Sequence, residues 1–262
     1  MPTKLTVTRT EELTPSLRRV WFRSDDLSAF AESTDTDRYV KLIFPQPGTV
    51  IPDDFDVKAA RMTWAAEDLP VVRTYTALFP DVAAGTLAID FVVHGDEGVA
   101  GPWAARVQPG ESVLANGPGG GYTPDVDADW HLLAGDESAV PAISAALAAL
   151  PEDAVGECVV LVDSPAHEPR LEAPQGVTVR FHHRDGSDAP LAAAVRALEW
   201  RDGRVQAFVH GEGEDVMKGV RPYLLAERGL PRADVSVSGY WRRGRTEEGF
   251  RQWKSQLATA DG

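Results

Sequence analysis

A glycine-rich break at Gly117-Pro118-Gly119-Gly120-Gly121 divides this chain into two stretches that follow different periodicities. Before it, β-branched and aromatic runs recur at 5–8, 18–22, 39–44, 71–78 and 87–94, separated by Pro, Gly and Asp clusters. Short strands with turn signals between them predict an antiparallel barrel or sandwich. The proline- and acid-bearing insertion at 45–70 reads as a loop with a short helical turn. After the break, strand alternates with helix. Strands are expected at 131–134, 157–162, 177–181, 205–210 and 235–238, and helices at 140–150, 189–199 and 215–228. That alternation implies βαβ units and a parallel sheet. The expected organisation is therefore an antiparallel β barrel over 1–125, an α/β domain over 126–246 and a tail or helix over 247–262.

Charge and cysteine usage narrow the function classes. Forty acidic residues against 26 basic ones give a net charge of −14. A chain this acidic lacks the basic footprint of a nucleic-acid binder and is repelled by anionic membranes. No apolar run reaches the ~20 residues a membrane helix needs. Met1-Pro2-Thr3-Lys4 has no apolar segment behind it, so no secretory signal is expected. The single Cys158 excludes an internal disulfide and any all-Cys metal site, and its apolar run predicts a buried strand thiol. A cytoplasmic location is expected by default. The six histidines form no metal-binding pattern, and the adjacent His182 and His183 point to opposite faces of a strand. Ser138 lacks the G-x-S-x-G setting of a hydrolase nucleophile.

Three segments carry candidate chemistry. In Val71-Val72-Arg73-Thr74-Tyr75-Thr76, strand alternation puts Arg73 and Tyr75 on one face and Thr74 and Thr76 on the other. An Arg fork suits a diphosphate, and a Tyr ring about 7 Å along the same face suits a flat heteroaromatic ring. Strand propensity alone accounts for the same residues about as well. His94-Gly95, followed by Gly98, Gly101 and Pro102, reads as a glycine loop entering a helix: either a phosphate seat or a tight turn with a cap. Gly135-Asp136-Glu137-Ser138 and His210-Gly211-Glu212-Gly213 each end a strand of the parallel sheet and should face one crevice, although neither is G-x-G-x-x-G. Both also read as ordinary strand–helix connections with acidic caps. Arg242, Arg243 and Arg245 crowd into four residues, as an anion-attracting patch or a solvated basic turn.

Five blocks occur in order: Lys41-Leu42-Ile43-Phe44-Pro45, Arg73-Thr74-Tyr75-Thr76, His94-Gly95 with Gly98-x-Ala100-x-x-Trp103-Ala104, Leu133 to Ile143, and Gly239-Tyr240-Trp241-Arg242-Arg243-Gly244-Arg245. Together they resemble the siderophore-interacting protein family, the FAD-dependent ferric-siderophore reductases of the ferredoxin–NADP reductase-like group. The resemblance covers nearly the whole chain. It departs at Val99, where relatives carry Pro, and at Gly101-Pro102, where they often carry Ser or Thr before the Trp.

The resemblance implies an antiparallel six-stranded flavin-binding barrel followed by a parallel-sheet nicotinamide-binding domain. It implies that Arg73 holds the FAD diphosphate, that Tyr75 stacks on the flavin and that Thr76 lies near flavin N5, with Tyr75 and Thr76 as the catalytic pair. Thr74, Asp90, Val92, His94, Gly95, Gly98, Ala100, Gly101 and Trp103 complete the flavin set. Gly135, Asp136, Glu137, Ser138, Gly211 and Glu212 line the nicotinamide crevice, and Tyr240 and Trp241 cover the flavin's other face. Lys41, Arg242, Arg243 and Arg245 face a ferric siderophore or a cofactor phosphate. NADPH or NADH is the implied donor, with ferredoxin as an alternative, and the protein is expected to be a monomer without nucleic-acid partners. Two other readings stay open. One is a siderophore-binding or iron-chaperone protein without flavin, against which the 73–76 block argues. The other is a general flavin or ferredoxin reductase of the same fold, against which the 239–245 block argues.

Overall fold

The computed structural model describes residues 1–52, 54–96, 98–184 and 190–244; Arg245 and the segment 247–262 lie outside the described residues. The chain divides into two compact units, Met1–Thr123 and Pro124–Gly262.

In the first unit, strands β1 (Thr3–Thr14), β2 (Leu17–Arg23), β3 (Tyr39–Phe44), β4 (Val71–Thr76), β5 (Leu78–Asp81), β6 (Thr86–Val92) and β7 (Ser112–Gly119) pair antiparallel in the order β4-β3-β7-β1-β2-β6-β5. The two ends of that series, β4 and β5, are one run of chain interrupted at Ala77. Up to Thr76 the run pairs with β3, and from Leu78 it pairs with β6. The Ala77 N–H donates to the Arg38 carbonyl at 2.7 Å, and Phe79 follows at φ 51°. A single bent strand thus closes the ring, giving the six-stranded barrel expected, with no long open edge. Alternate residues point inward: Leu5 and Val7, Val20 and Phe22, Leu42 and Phe44, Leu87, Ile89 and Phe91, Val113 and Ala115 form one buried cluster.

Helix α2 (Ala100–Arg106) packs on that cluster through Trp103, whose ring stacks on Phe22 at 6.4 Å and meets Phe44 at 5.5 Å and Phe91 at 5.6 Å. The 45–70 insertion holds α1 (Val57–Thr63), capped by Asp56, which accepts from the Lys58 and Ala59 N–H groups at 2.7 and 3.1 Å. β7 departs from the sequence reading, which has no strand over 112–119 and takes Gly117 onward as a break. Small residues suit it to a close crossing: a Cβ at Gly119 would stand 2.6 Å from the Tyr39 ring. The strand is therefore made by its partners β3 and β1 rather than by its own propensity.

The second unit is a five-stranded parallel sheet of β8 (Trp130–Asp136), β9 (Val155–Val162), β10 (Gly176–His183), β11 (Val205–Glu212) and β12 (Val235–Trp241), in the order β10-β9-β8-β11-β12. β8 and β9 are buried along nearly their whole length, as strands covered on both faces must be. One face packs Trp130, Leu132, Ala134 and Val209 against Leu191 and Val195 of α4 (Leu191–Arg196) and against Val216, Val220 and Leu224. The last three lie on the helix expected at 215–228, which is wound as two π-type segments, Asp215–Val220 and Tyr223–Glu227. The other face meets α3 (Val140–Ala149): a Cβ at Gly135 would clash with Ala139 and Ile143. Strand order reverses between β8 and β11, the switch point at whose carboxyl ends sheets of this kind bind ligands. Among the described residues no helix is long and apolar enough to cross a membrane.

Candidate functional site

The barrel places the 71–76 row on β4. Pairing with β3 sets Arg73 opposite Leu42, Tyr75 opposite Val40 and Thr74 opposite Lys41. Arg73 and Tyr75 therefore share a face. The Tyr75 ring leans on Phe91, with 4.5 Å between centroids and 43° between planes, so one side is anchored on the core while the residue stays half-buried. Arg73 is half-buried two residues away, and its Nη1 donates to the Val72 carbonyl at 3.1 Å. Thr74 and Lys41 are exposed across from one another. Thr76 is buried, at 7% exposed.

The loop between β6 and α2 supplies the second group. His94, Gly95 and Gly98 are exposed, and the two glycines sit at φ 57° and 80°, where side chains bearing a Cβ are strained. Gly101 lets α2 approach β6: a Cβ there would lie 3.1 Å from the Val92 carbonyl oxygen. The N-cap residue of α2 is Val99, whose side chain makes no capping hydrogen bond. Ala100 is buried and Trp103 is built into the aromatic cluster, so both shape the loop from beneath. Asp90 is different. It is 4% exposed, and both of its oxygens are gripped by Arg19, at 2.6 and 2.8 Å. Burial pushes its carboxyl above the usual range against the pull of Arg19. Arg19 and Asp90 face one another across β2 and β6, 71 residues apart, a pairing that sequence inspection does not reveal.

In the second unit, Asp136 at the end of β8 organises the crevice. It is 3% exposed. Its Oδ1 accepts from the Ser138 N–H at 2.9 Å and the Ser138 hydroxyl at 2.5 Å. Its Oδ2 accepts from the Glu212 N–H and from the Trp241 indole N–H, each at 2.8 Å. The loops after β8 and β11 are thereby tied together, and the Trp ring is tied to both. Gly211 is needed for this closeness, because a Cβ there would meet Asp136 Oδ2 at 2.9 Å. Glu212 continues the chain of bonds, accepting from the Asp215 N–H at 2.8 Å and the Arg243 N–H at 3.1 Å. Asp215 in turn caps α4 at the Leu191 and Ala192 N–H groups. Burial raises the Asp215 carboxyl, the two N–H groups pull it back, and Glu212 and Asp136 add to the rise.

Tyr240 is held from below by His210, a buried residue absent from the expected set. Its Nδ1 lies 2.8 Å from the Tyr240 hydroxyl and its Nε2 lies 3.0 Å from the Ser236 hydroxyl. Its signal in the sequence is a lone polar residue closing an apolar strand just before a glycine. Arg242 bonds Glu214 at 2.7 Å and is 14% exposed, so it is folded against its own domain. Arg243 is exposed. Glu137 meets Arg184 at 2.9 Å, and Arg184 also meets Asp163 at 2.9 Å. Burial draws the Arg184 pKa down, and Glu137, Asp136 and Asp163 more than restore it. Among the described residues no group of three or more His, Cys, Asp or Glu is placed to hold a metal ion.

Comparison with known proteins bears on both units. A family model described as siderophore-interacting FAD-binding domain matches residues 6–122, and one described as siderophore-interacting protein matches residues 128–244. A protein of uncharacterised function from Mycobacterium tuberculosis is 45% identical, over 97% of this chain and 95% of its own length. The ferric vibriobactin reductase of Vibrio cholerae is 33% identical over 96% of this chain and 93% of its own. The NADPH-dependent ferric-chelate reductase of Escherichia coli is 31% identical over 91% and 92%. Among solved structures, a siderophore utilization protein from T. fusca is 36% identical, covers 94% of each chain and superposes with a TM-score of 0.79.

Proposed function

This chain belongs to the siderophore-interacting protein family, and we propose that it is a flavin-dependent reductase of ferric siderophores, with a reduced nicotinamide nucleotide as donor. The observation that carries the reading is the β4 row. A half-buried guanidinium and a half-buried phenol ring share one face of the barrel, beside a loop whose exposed glycines sit at positive φ. These residues fit FAD. Arg73 offers a fork to the diphosphate, Tyr75 a ring face braced by Phe91, and the 94–98 loop room for close approach of backbone to a phosphate or ring edge.

A bound flavin supplies the conversion the reaction needs, taking two electrons from the nicotinamide and passing them on singly. One nucleotide oxidised therefore balances two ferric ions reduced, with one proton released. Ferrous iron binds hard oxygen chelators far more weakly than ferric iron does, so reduction frees the metal without any protein ligand. The chain's own residues bind and orient. Arg73 and Tyr75 set the position and tilt of the flavin ring system. Asp136 draws Ser138, Glu212 and Trp241 together, fixing the crevice at the switch point of the parallel sheet where a dinucleotide docks. His210 orients Tyr240. Exposed Arg243 on the parallel-sheet unit is a cation offered to an anionic ferric chelate, and exposed Lys41 on the barrel is a separate candidate. We further take the protein to work as a monomer in the cytoplasm, where reduced nucleotides, or a reduced ferredoxin, are at hand.

The test is anaerobic. FAD-loaded protein mixed with NADH or NADPH should lose its flavin absorbance. Adding a ferric chelate should restore it, while a ferrous trap records two ferrous ions per nucleotide consumed. Protein that binds no FAD would point instead to a carrier of siderophores. Bleaching without ferrous product would point to a general flavin reductase.

A further inference from the structure

The carboxyl ends of β8, β9 and β10 carry a charge triangle that the proposed reaction does not use. Glu137 follows β8, Asp163 follows β9 and Arg184 follows β10. One guanidinium nitrogen of Arg184 contacts both acids, Glu137 Oε2 at 2.9 Å and Asp163 Oδ1 at 2.9 Å. Arg184 and Glu137 are each 13% exposed, whereas Asp163 is 59% exposed and presents its carboxylate to solvent. The Arg184 backbone N–H donates to the Val162 carbonyl at 2.9 Å, which pins the base of the triangle to β9. Two acids around one base leave a net charge of −1. Nearby, His183 Nε2 lies 2.7 Å from Glu168 Oε1, and Arg170 pairs with Glu172 at 3.1 Å.

In a doubly wound sheet whose central strand is the first, the nucleotide lies across the switch point, and its adenosine ribose reaches the end of the second strand. Here the second strand is β9 and the residue at its end is Asp163. A carboxylate in that position accepts from a free ribose 2′-hydroxyl. A 2′-phosphate is doubly charged or nearly so and needs an uncommitted Arg in its place. Arg184 stands within reach of the same position, but two carboxylates already hold it. Resting on the reductase reading above, we infer that this chain takes NADH in preference to NADPH, with Asp163 and the Glu137-bound Arg184 as the residues that set the choice. This sets the chain apart from the E. coli relative, whose name carries NADPH.

The experiment uses the full-length, FAD-loaded protein and the oxidised nucleotides, so that no electrons move during the measurement. Calorimetric titration should show NAD⁺ binding at least about tenfold tighter than NADP⁺. Asp163→Asn and Glu137→Gln, each removing one negative charge, should narrow that gap, chiefly by strengthening NADP⁺ binding. Arg184→Ala should weaken NADP⁺ further and leave NAD⁺ close to its original affinity. Equal affinities, or tighter NADP⁺ binding that Arg184→Ala abolishes, would overturn the inference and leave the reductase reading standing. No binding of either nucleotide to the folded, yellow protein would overturn both the inference and the nucleotide-donor reading beneath it.

Discussion

The barrel and the parallel sheet hold their functional side chains in opposite ways. In the barrel, the groups proposed to meet a flavin rest on the core or stand exposed. Tyr75 rests on Phe91, Thr74 and Lys41 stand exposed, and the glycines of the 94–98 loop carry no side chain at all. In the parallel sheet the corresponding groups hold one another. Asp136 accepts four hydrogen bonds, Glu212 ties two more backbone N–H groups, and Glu137 is closed on Arg184. A residue type at a strand end therefore does not by itself mark ligand contact. On the function proposed above, the barrel presents side chains to its flavin, whereas the sheet ties its side chains to one another and to the backbone of its loops.

Substitutions at the two places should therefore fail differently, and the largest effect belongs to the sheet. Asp136→Asn turns an acceptor shared by the Glu212 and Trp241 N–H groups into a mixed group, and one buried donor then faces another. A loss of about 3 kcal/mol in unfolding free energy is expected, read by denaturant titration. A loss below about 1 kcal/mol would erase the contrast drawn here. Next comes Tyr75→Ala in the barrel. FAD affinity should fall by about 2 kcal/mol, the scale of one ring stack, while the variant stays folded. Loss of the fold with no change in FAD affinity of the folded fraction would make Tyr75 a core residue like those of the sheet.

His210→Leu is a smaller change, because it removes the support of Tyr240 and leaves the ring in place. About 1 kcal/mol of stability should be lost, and the Tyr240 fluorescence should report a more mobile ring. The smallest effect separates two neighbouring arginines. Arg243→Ala should raise the Michaelis constant for an anionic ferric chelate and leave it unchanged for a neutral one. Arg242→Ala, already bonded to Glu214, should shift neither appreciably. Equal effects from the two would restore the three-arginine patch suggested by the sequence.

Much of the architecture was legible because it rests on local signals. Periodicity and breakers distinguish the two sheets, and the 73–76 block and the two glycine-bearing strand ends stand out as the proposed places of ligand approach. What stayed hidden depends on partners distant along the chain. Asp90 looks like a candidate ligand until its register with Arg19 on β2 is known. Asp136 meets Trp241 across 105 residues, and Glu137 meets Arg184 across 47. β7 hid for a related reason: Ala115, Gly117 and Gly119 have little strand propensity and become a strand because β1 and β3 need an antiparallel neighbour. The mixed charges after β9 and β10 are ambiguous as a string, and in space Arg184 closes on Glu137 and Asp163 while His183 meets Glu168.

On the function proposed, the guanidinium and ring on β4 hold the flavin. FAD titration into the apoprotein, followed by flavin fluorescence, tests it most directly when wild type and Arg73→Ala are compared. Wild type should bind saturably, and Arg73→Ala should lose roughly 100-fold, the scale of charge-assisted hydrogen bonds to a diphosphate. Equal affinity in the two proteins, or no FAD binding by the folded wild type, would contradict it.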